Sequence, residues 1–263
     1  MRIPKSIFGT VVVFTVSKKI KIMRNILLTL STILVVNMTF GQTYDDLRIM
    51  FVDENYEKLL KTAEQYTMKE STKNDAEPYL WLARGLFAMS KNEDYTNQDK
   101  YKKAFNDCLT WLGKYYKKDK TLSLYNDHRD FFVEVKTQIF ELIETDIVAG
   151  NWAKALGNIS KIPKVSPGNF ALDYLAGACN FNKGDKTTAR DNWKKADGLL
   201  KEATDEMING WEKPDKLMLA LGMVESAKCY VKMKKPELAK DLMKKGLNWF
   251  DDIEFYMDYY ESL

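Results

Sequence analysis

Few side chains in this chain of 263 residues could do chemistry, and their spacing excludes most reactions. There is one histidine, His128, in the stretch YNDHRDFF, so a multi-histidine metal site within one chain is excluded. Its place predicts a solvated residue near a helix start. The acid pair Glu141 and Glu144 stands one helical turn apart, as general acid–base chemistry would need, but a solvated helix face is the commoner use of that spacing. The stretch AGACNFNKGDK holds glycines and a lysine, yet it lacks the Gly-Lys-Ser/Thr pairing and the preceding strand of a phosphate-binding loop. KYYKKDK, beginning at Lys114, mixes basic and aromatic residues; Tyr115 and Tyr116 could stack on bases or sugars, whereas the plainer reading is a helix end with solvated lysines. Three cysteines, Cys108, Cys179 and Cys229, leave at least one thiol without an internal partner, and free cysteine packs as a small hydrophobe. The expectation is a protein without a catalytic constellation, a cofactor or a metal.

The elements that would position a site begin after a leader. Residues 1–41 hold six Lys and Arg and no acid, and residues 26–40 form an apolar run of 15. That run is shorter than the roughly 20 residues a membrane span takes. Thr39 and Gly41 place small residues where a signal peptidase reads, which predicts cleavage before Gln42. Met23 would start a leader of ordinary length, with residues 1–22 then an upstream extension; the rival reading is an uncleaved anchor. Removing the leader takes the net charge from +3 to −3, with 34 basic and 37 acidic residues left, so the basis for nucleic-acid binding falls away. Residues 42–263 form the expected folded domain, with no stable membrane span.

That domain reads as helix after helix, with apolar residues at helical spacing and prolines at helix starts. Asp75 is placed to cap a helix with Pro78 in its first turn, and Pro236 opens another. Gly150 and Gly184 each lie between two helical patterns, where a left-handed turn residue is needed. They are 34 residues apart, and the same interval carries Ala155 to Ala189, Ile159 to Trp193 and Ile162 to Ala196. A further block matches at Ala227, Tyr230, Ala239, Met243 and Gly246, and a weaker one at Ala83, Ala104 and Cys108, whose turn is about nine residues longer. DENYEKLLKTAEQY reads as the second helix of a degenerate first block.

Helix–turn–helix blocks at this period resemble the tetratricopeptide repeat family. The resemblance implies an all-α fold: an α-solenoid of stacked helical pairs closed by a C-terminal capping helix, WFDDIEFYMDYYESL, apolar toward the last repeat and acidic toward water. Gly177 and Ala227 are 50 residues apart, 16 more than the repeat, so the superhelix should be irregular there and again after Trp111. In this family the first helix of each pair lines a concave groove. Carried over, the partner-binding residues are Trp81, Arg84, Phe140, Glu144, Tyr174, Asn182, Lys228 and Lys232. Members that clamp a terminal carboxylate carry polar residues where Tyr174 and Ala178 stand, so that activity is not implied. The end of the leader, TFGQ, is similar to those of exported Bacteroidota proteins. The function expected is a non-enzymatic, exported protein that binds another protein or peptide in the bacterial envelope, in the periplasm or secreted, as a subunit or adaptor of an outer-membrane assembly or secretion machine. It would meet the membrane through its partner only. The alternative is a helical-repeat module for glycans or small ligands, suggested by the aromatic content of 13%.

Overall fold

The structure, a computed structural model, describes residues 44–263. The expected signal peptide and the choice between Met1 and Met23 lie outside the described residues. Among the described residues every regular element is helical and no strand is present. In order, the helices are α1 (Asp45–Val52), α2 (Tyr56–Met68), α3 (Glu77–Ser90), the single turn α4 (Glu93–Thr96), α5 (Ala104–Lys118), α6 (Arg129–Val148) and α7 (Trp152–Ile159). There follow α8 (Ala171–Asn182), α9 (Lys186–Glu202), the short α10 (Asp205–Asn209), α11 (Lys213–Lys232), α12 (Pro236–Lys245), α13 (Leu247–Phe250) and α14 (Glu254–Glu261).

The burial pattern explains which helix sits where. In α9 the buried residues are Ala189, Trp193, Ala196 and Leu200, an apolar stripe at helical period that commits one face to the core. In α11 burial runs without a break from Met218 to Ala227, so this helix is covered all round. It packs against α6, α8, α12 and α14 and forms the centre of the C-terminal half. In the N-terminal half α3 plays the same part, flanked by α2 and α5.

One backbone device recurs. The turns α1–α2, α6–α7, α8–α9 and α11–α12 each contain a residue of positive φ: Glu54 (54°), Gly150 (70°), Gly184 (93°) and Lys234 (58°). At each, two amides reach back to the end of the preceding helix. At Gly184 its own N–H donates to Phe181 O at 3.0 Å, and the Asp185 N–H to Asn180 O at 2.9 Å. The same pair recurs at Lys234, from its N–H to Val231 O (2.8 Å) and from Lys235 to Tyr230 O (3.0 Å). This is the Schellman arrangement, which satisfies orphan helix carbonyls and requires a left-handed residue. The two glycines are the positions expected from the sequence; Glu54 and Lys234 take the same conformation with a side chain, against its steric preference.

The small residues of the repeat lie at helix crossings. Ala155, Ala189, Ala196, Ala227 and Ala239 are fully buried. Trp193 on α9 lies against Gly177 of α8, where an added methyl would fall 2.5 Å from the ring Cδ1. Its Nε1 donates to Ser226 Oγ on α11 at 2.9 Å, and its ring lies 5.0 Å from that of Tyr230. One side chain therefore joins three helices. Helix α14 packs on α11 and α12, with the buried Tyr256 hydroxyl donating to Met243 O at 2.6 Å and Glu254, Asp258 and Glu261 facing solvent.

Two local expectations are corrected. Asp75 does not cap α3, whose N-cap is Ala76; its carboxylate instead accepts from the Tyr44 hydroxyl at 2.5 Å. The excess lengths are taken up by structure: α9 runs on to Glu202, α10 follows, and α6 and α11 reach 20 residues each. No helix among the described residues is long and apolar enough to cross a membrane.

Candidate functional site

The structure divides the eight expected partner-binding residues into two groups. Trp81, Phe140 and Tyr174 are 3%, 7% and 0% exposed and belong to the core. The Trp81 Nε1 donates to Glu77 Oε1 at 3.0 Å. The Tyr174 hydroxyl donates to Asp197 Oδ1 at 2.8 Å, and burial with that neighbouring carboxylate holds its ionisation far above the usual range. Tyr174 is covered because α8 and α11 touch closely: a methyl on Gly222 would stand 2.9 Å from its Cβ. These three are corrected from groove residues to packing residues. Arg84 is half-buried, with its guanidinium over the rings of Phe51 (4.6 Å), Trp81 (4.9 Å) and Phe131 (5.8 Å), and it bonds the His128 ring. His128 is thus at a helix start as expected but not solvated. Burial, with the Arg84 charge beside it, pushes its pKa down to about 4.

The other four expected residues fall in two neighbouring pairs, Glu144 with Lys228 and Asn182 with Lys232. Glu144 of α6 and Lys228 of α11 line one open cleft of about 420 Å³, bounded on its third side by α14. Its floor is apolar, from Ile147, Leu221 and Val224, and Phe255 and Tyr259 form the far wall. The Lys228 ammonium is held at its rim by Glu225 Oε1 at 2.6 Å and lies 5.6 Å from the Tyr259 ring centre. One turn along α11, Lys232 donates to Asn182 Oδ1 on α8 at 2.7 Å. Val148, 83% exposed, stands beside the cleft, and Val231 is exposed on the next turn of α11. The cleft therefore offers an apolar floor and a rim of both charge signs.

A second cleft, of about 500 Å³, was not visible in the sequence. Behind it Lys136 of α6, 6% exposed, donates to Asp215 Oδ2 (2.7 Å), Glu212 Oε2 (3.1 Å) and the Tyr125 hydroxyl (3.1 Å). Asp215 also accepts from Ser166 Oγ and from Asn169 Nδ2, and Glu212 accepts from Arg129 Nε at 2.9 Å. Burial works against the Lys136 charge, but Asp215 outweighs it and holds the ammonium above its ordinary range. Burial likewise opposes ionisation of Glu212, and hydrogen bonds from Tyr125, Arg129 and Lys136 overcome it, so its pKa is lowered. All three Lys136 donors and both Asp215 oxygens are used. The network is therefore a clamp joining α6, α11 and the segment 166–169. The cleft in front of it exposes Trp211, Asn126 and Arg129.

Tyr115 and Tyr116 are not stacking platforms. Tyr115 is fully buried and bonds Asp119 at 2.8 Å, and the Tyr116 hydroxyl donates to Val165 O at 3.1 Å. Glu141 lies on the exposed face of α6. The three cysteines are unpaired and buried, and burial pushes the Cys179 and Cys229 thiols up to about 12. Among the described residues no three His, Cys, Asp or Glu side chains converge as metal ligands would. Comparison of the chain with models of protein families, with curated proteins and with solved structures finds no match.

Proposed function

We propose that the chain is an exported, non-enzymatic helical-repeat protein that binds another protein in the bacterial envelope through the cleft between α6, α11 and α14. The observation that carries this reading is that Glu144 and Lys228 line one open cleft with an apolar floor, while Lys232, one turn further along α11, bonds Asn182. A tetratricopeptide-like solenoid is the architecture we assign. It is supported by the four equivalent left-handed turns and by the buried small residues at a 34-residue interval. The basic, acid-free leader supports export to the periplasm, and an adaptor or subunit of an outer-membrane assembly or secretion machine is the role that fits such a location. The test is affinity purification of the tagged chain from mildly solubilised native envelopes, alongside the double variant Glu144→Lys, Lys228→Glu. A stoichiometric envelope protein recovered with the natural chain and lost with the variant is the expected result. Equal recovery with both, or none with either, overturns the reading.

A second reading, a glycan- or small-ligand-binding module, draws on the cleft in front of Lys136. There Trp211 offers an apolar face, and Asn126 and Arg129, the latter tied through Nε to Glu212, line the opening. Thermal-shift measurements against oligosaccharides test it; stabilisation lost on Trp211→Ala would favour it over the protein-binding reading.

A further inference from the structure

A groove on a different face of the molecule carries an inference that does not rest on the proposed function, although its second surface lies on α14, which also bounds the first cleft. Between α2 and α5 runs an open groove of about 420 Å³ with Tyr79 and Trp111 as its floor. Met68, 69% exposed, lies on the α2 side, and Lys114, Lys117 and Lys118 line the α5 side. The lysines are spaced three and four residues apart, which places them on one face of α5. Lys114 lies 3.5 Å from the Trp111 ring centre, and Lys118 donates to the amide oxygen of Asn74 at 2.9 Å. Among the described residues none of the three forms an ion pair, and residues 1–43 contain no Asp or Glu that could supply one. Glu64 is the one carboxylate on the groove wall. The groove is thus an apolar trough with uncompensated positive charge along one side.

The complementary surface is on the same chain. Glu254 and Glu261 lie seven residues apart on one face of α14, and Asp251 and Asp252 precede them. All four are exposed, and none forms an ion pair among the described residues. The half-buried Met257 and Tyr260 flank this face. From Glu254 to Glu261 the stripe spans about 10 Å at 1.5 Å per residue, against about 6 Å for the lysines. Helix α14 packs on α11 and α12, whereas the groove belongs to α2, α3 and α5. We infer that the groove between α2 and α5 receives the acidic face of α14 from a second copy of the chain. Because the two patches differ, the contact is heterologous and extends head to tail.

The test is sedimentation of the full chain at rising concentration in about 20 mM and about 500 mM salt, where charges about 10 Å apart pass from weakly to fully screened. Mass that grows with concentration at low salt and falls to one copy at high salt is expected. Two charge-reversed chains make the test specific: Lys114→Glu, Lys117→Glu, Lys118→Glu, and Asp252→Lys, Glu254→Lys, Glu261→Lys. Each alone should associate at least about tenfold more weakly than the natural chain. Their equimolar mixture should regain association, since each then meets its complement twice, and that regain shows both variants to be folded. A single copy at every salt concentration overturns the inference, as does association that neither reversal changes. If a triple variant does not fold, the single reversals Lys117→Glu and Glu261→Lys repeat the same test, alone and mixed.

Discussion

Lys234 holds a left-handed conformation that a side chain resists, at a turn whose counterpart is Gly184. Exchanging the residue types should move stability in opposite directions. For an L-residue the left-handed region costs about 1–2 kcal/mol, and glycine gives back about 0.5–1 kcal/mol through the freedom it has when unfolded. The net is about 0.5–1 kcal/mol in favour of Lys234→Gly. Lys234 is exposed, and among the described residues its side chain forms no ion pair that would offset the gain. Gly184→Ala should lose a similar amount, since space for the methyl is free there and only the backbone objects. In a domain of this size about 1 kcal/mol moves Tm by about 2–4 °C. Thermal and urea unfolding followed by far-UV circular dichroism should therefore place Lys234→Gly above the natural chain and Gly184→Ala below it. A lower Tm for Lys234→Gly, or an unchanged one for Gly184→Ala, would refute the argument that one turn geometry repeats along the chain.

Three further outcomes follow from the packing and the charges. Gly177→Ala drives a methyl into the Trp193 ring and should cost about 1–3 kcal/mol in urea unfolding, with a change in tryptophan fluorescence as the ring shifts. Lys136→Met leaves the buried Asp215 without its cation, while Glu212 keeps only the exposed Arg129, and should cost about 3–5 kcal/mol; a neutral result would show the clamp to be dispensable. His128 is held neutral in the fold, with its pKa lowered to about 4 from 6.5, so the unfolded chain binds the extra proton. Its contribution is complete above pH 6.5 and is lost as pH falls toward 4. After discounting for partial exposure it is on the order of 1–2 kcal/mol. Glu212, whose pKa is also lowered, loses stability in the same direction at lower pH, so the comparison with His128→Gln isolates the histidine.

The turns and crossings were legible because they are local. Gly150 and Gly184 need only backbone reasoning, and Ala155, Ala189 and Ala227 stand out by their place in the repeated blocks. The direction in which a helix faces is a long-range property. The place of Tyr174 in the first helix of its pair points to a groove, but α11 presses on that face at Gly222 and covers it. The Lys136–Asp215 bond joins residues 79 apart in sequence, and nothing near Lys136 signals its partner. The burial of His128 is long-range in the same way: Arg84 and Trp81, which pack against it, come from α3.

The central claim is that the strip of Glu144, Lys228 and Lys232 holds another protein. The most direct measurement places a photo-crosslinking amino acid at Val148, exposed beside the cleft, and at Val52, 72% exposed on α1, and irradiates cells making each chain. The account predicts a discrete adduct with one envelope protein from Val148 and none of that mass from Val52. The same adducts from both positions, or none from Val148, would contradict it.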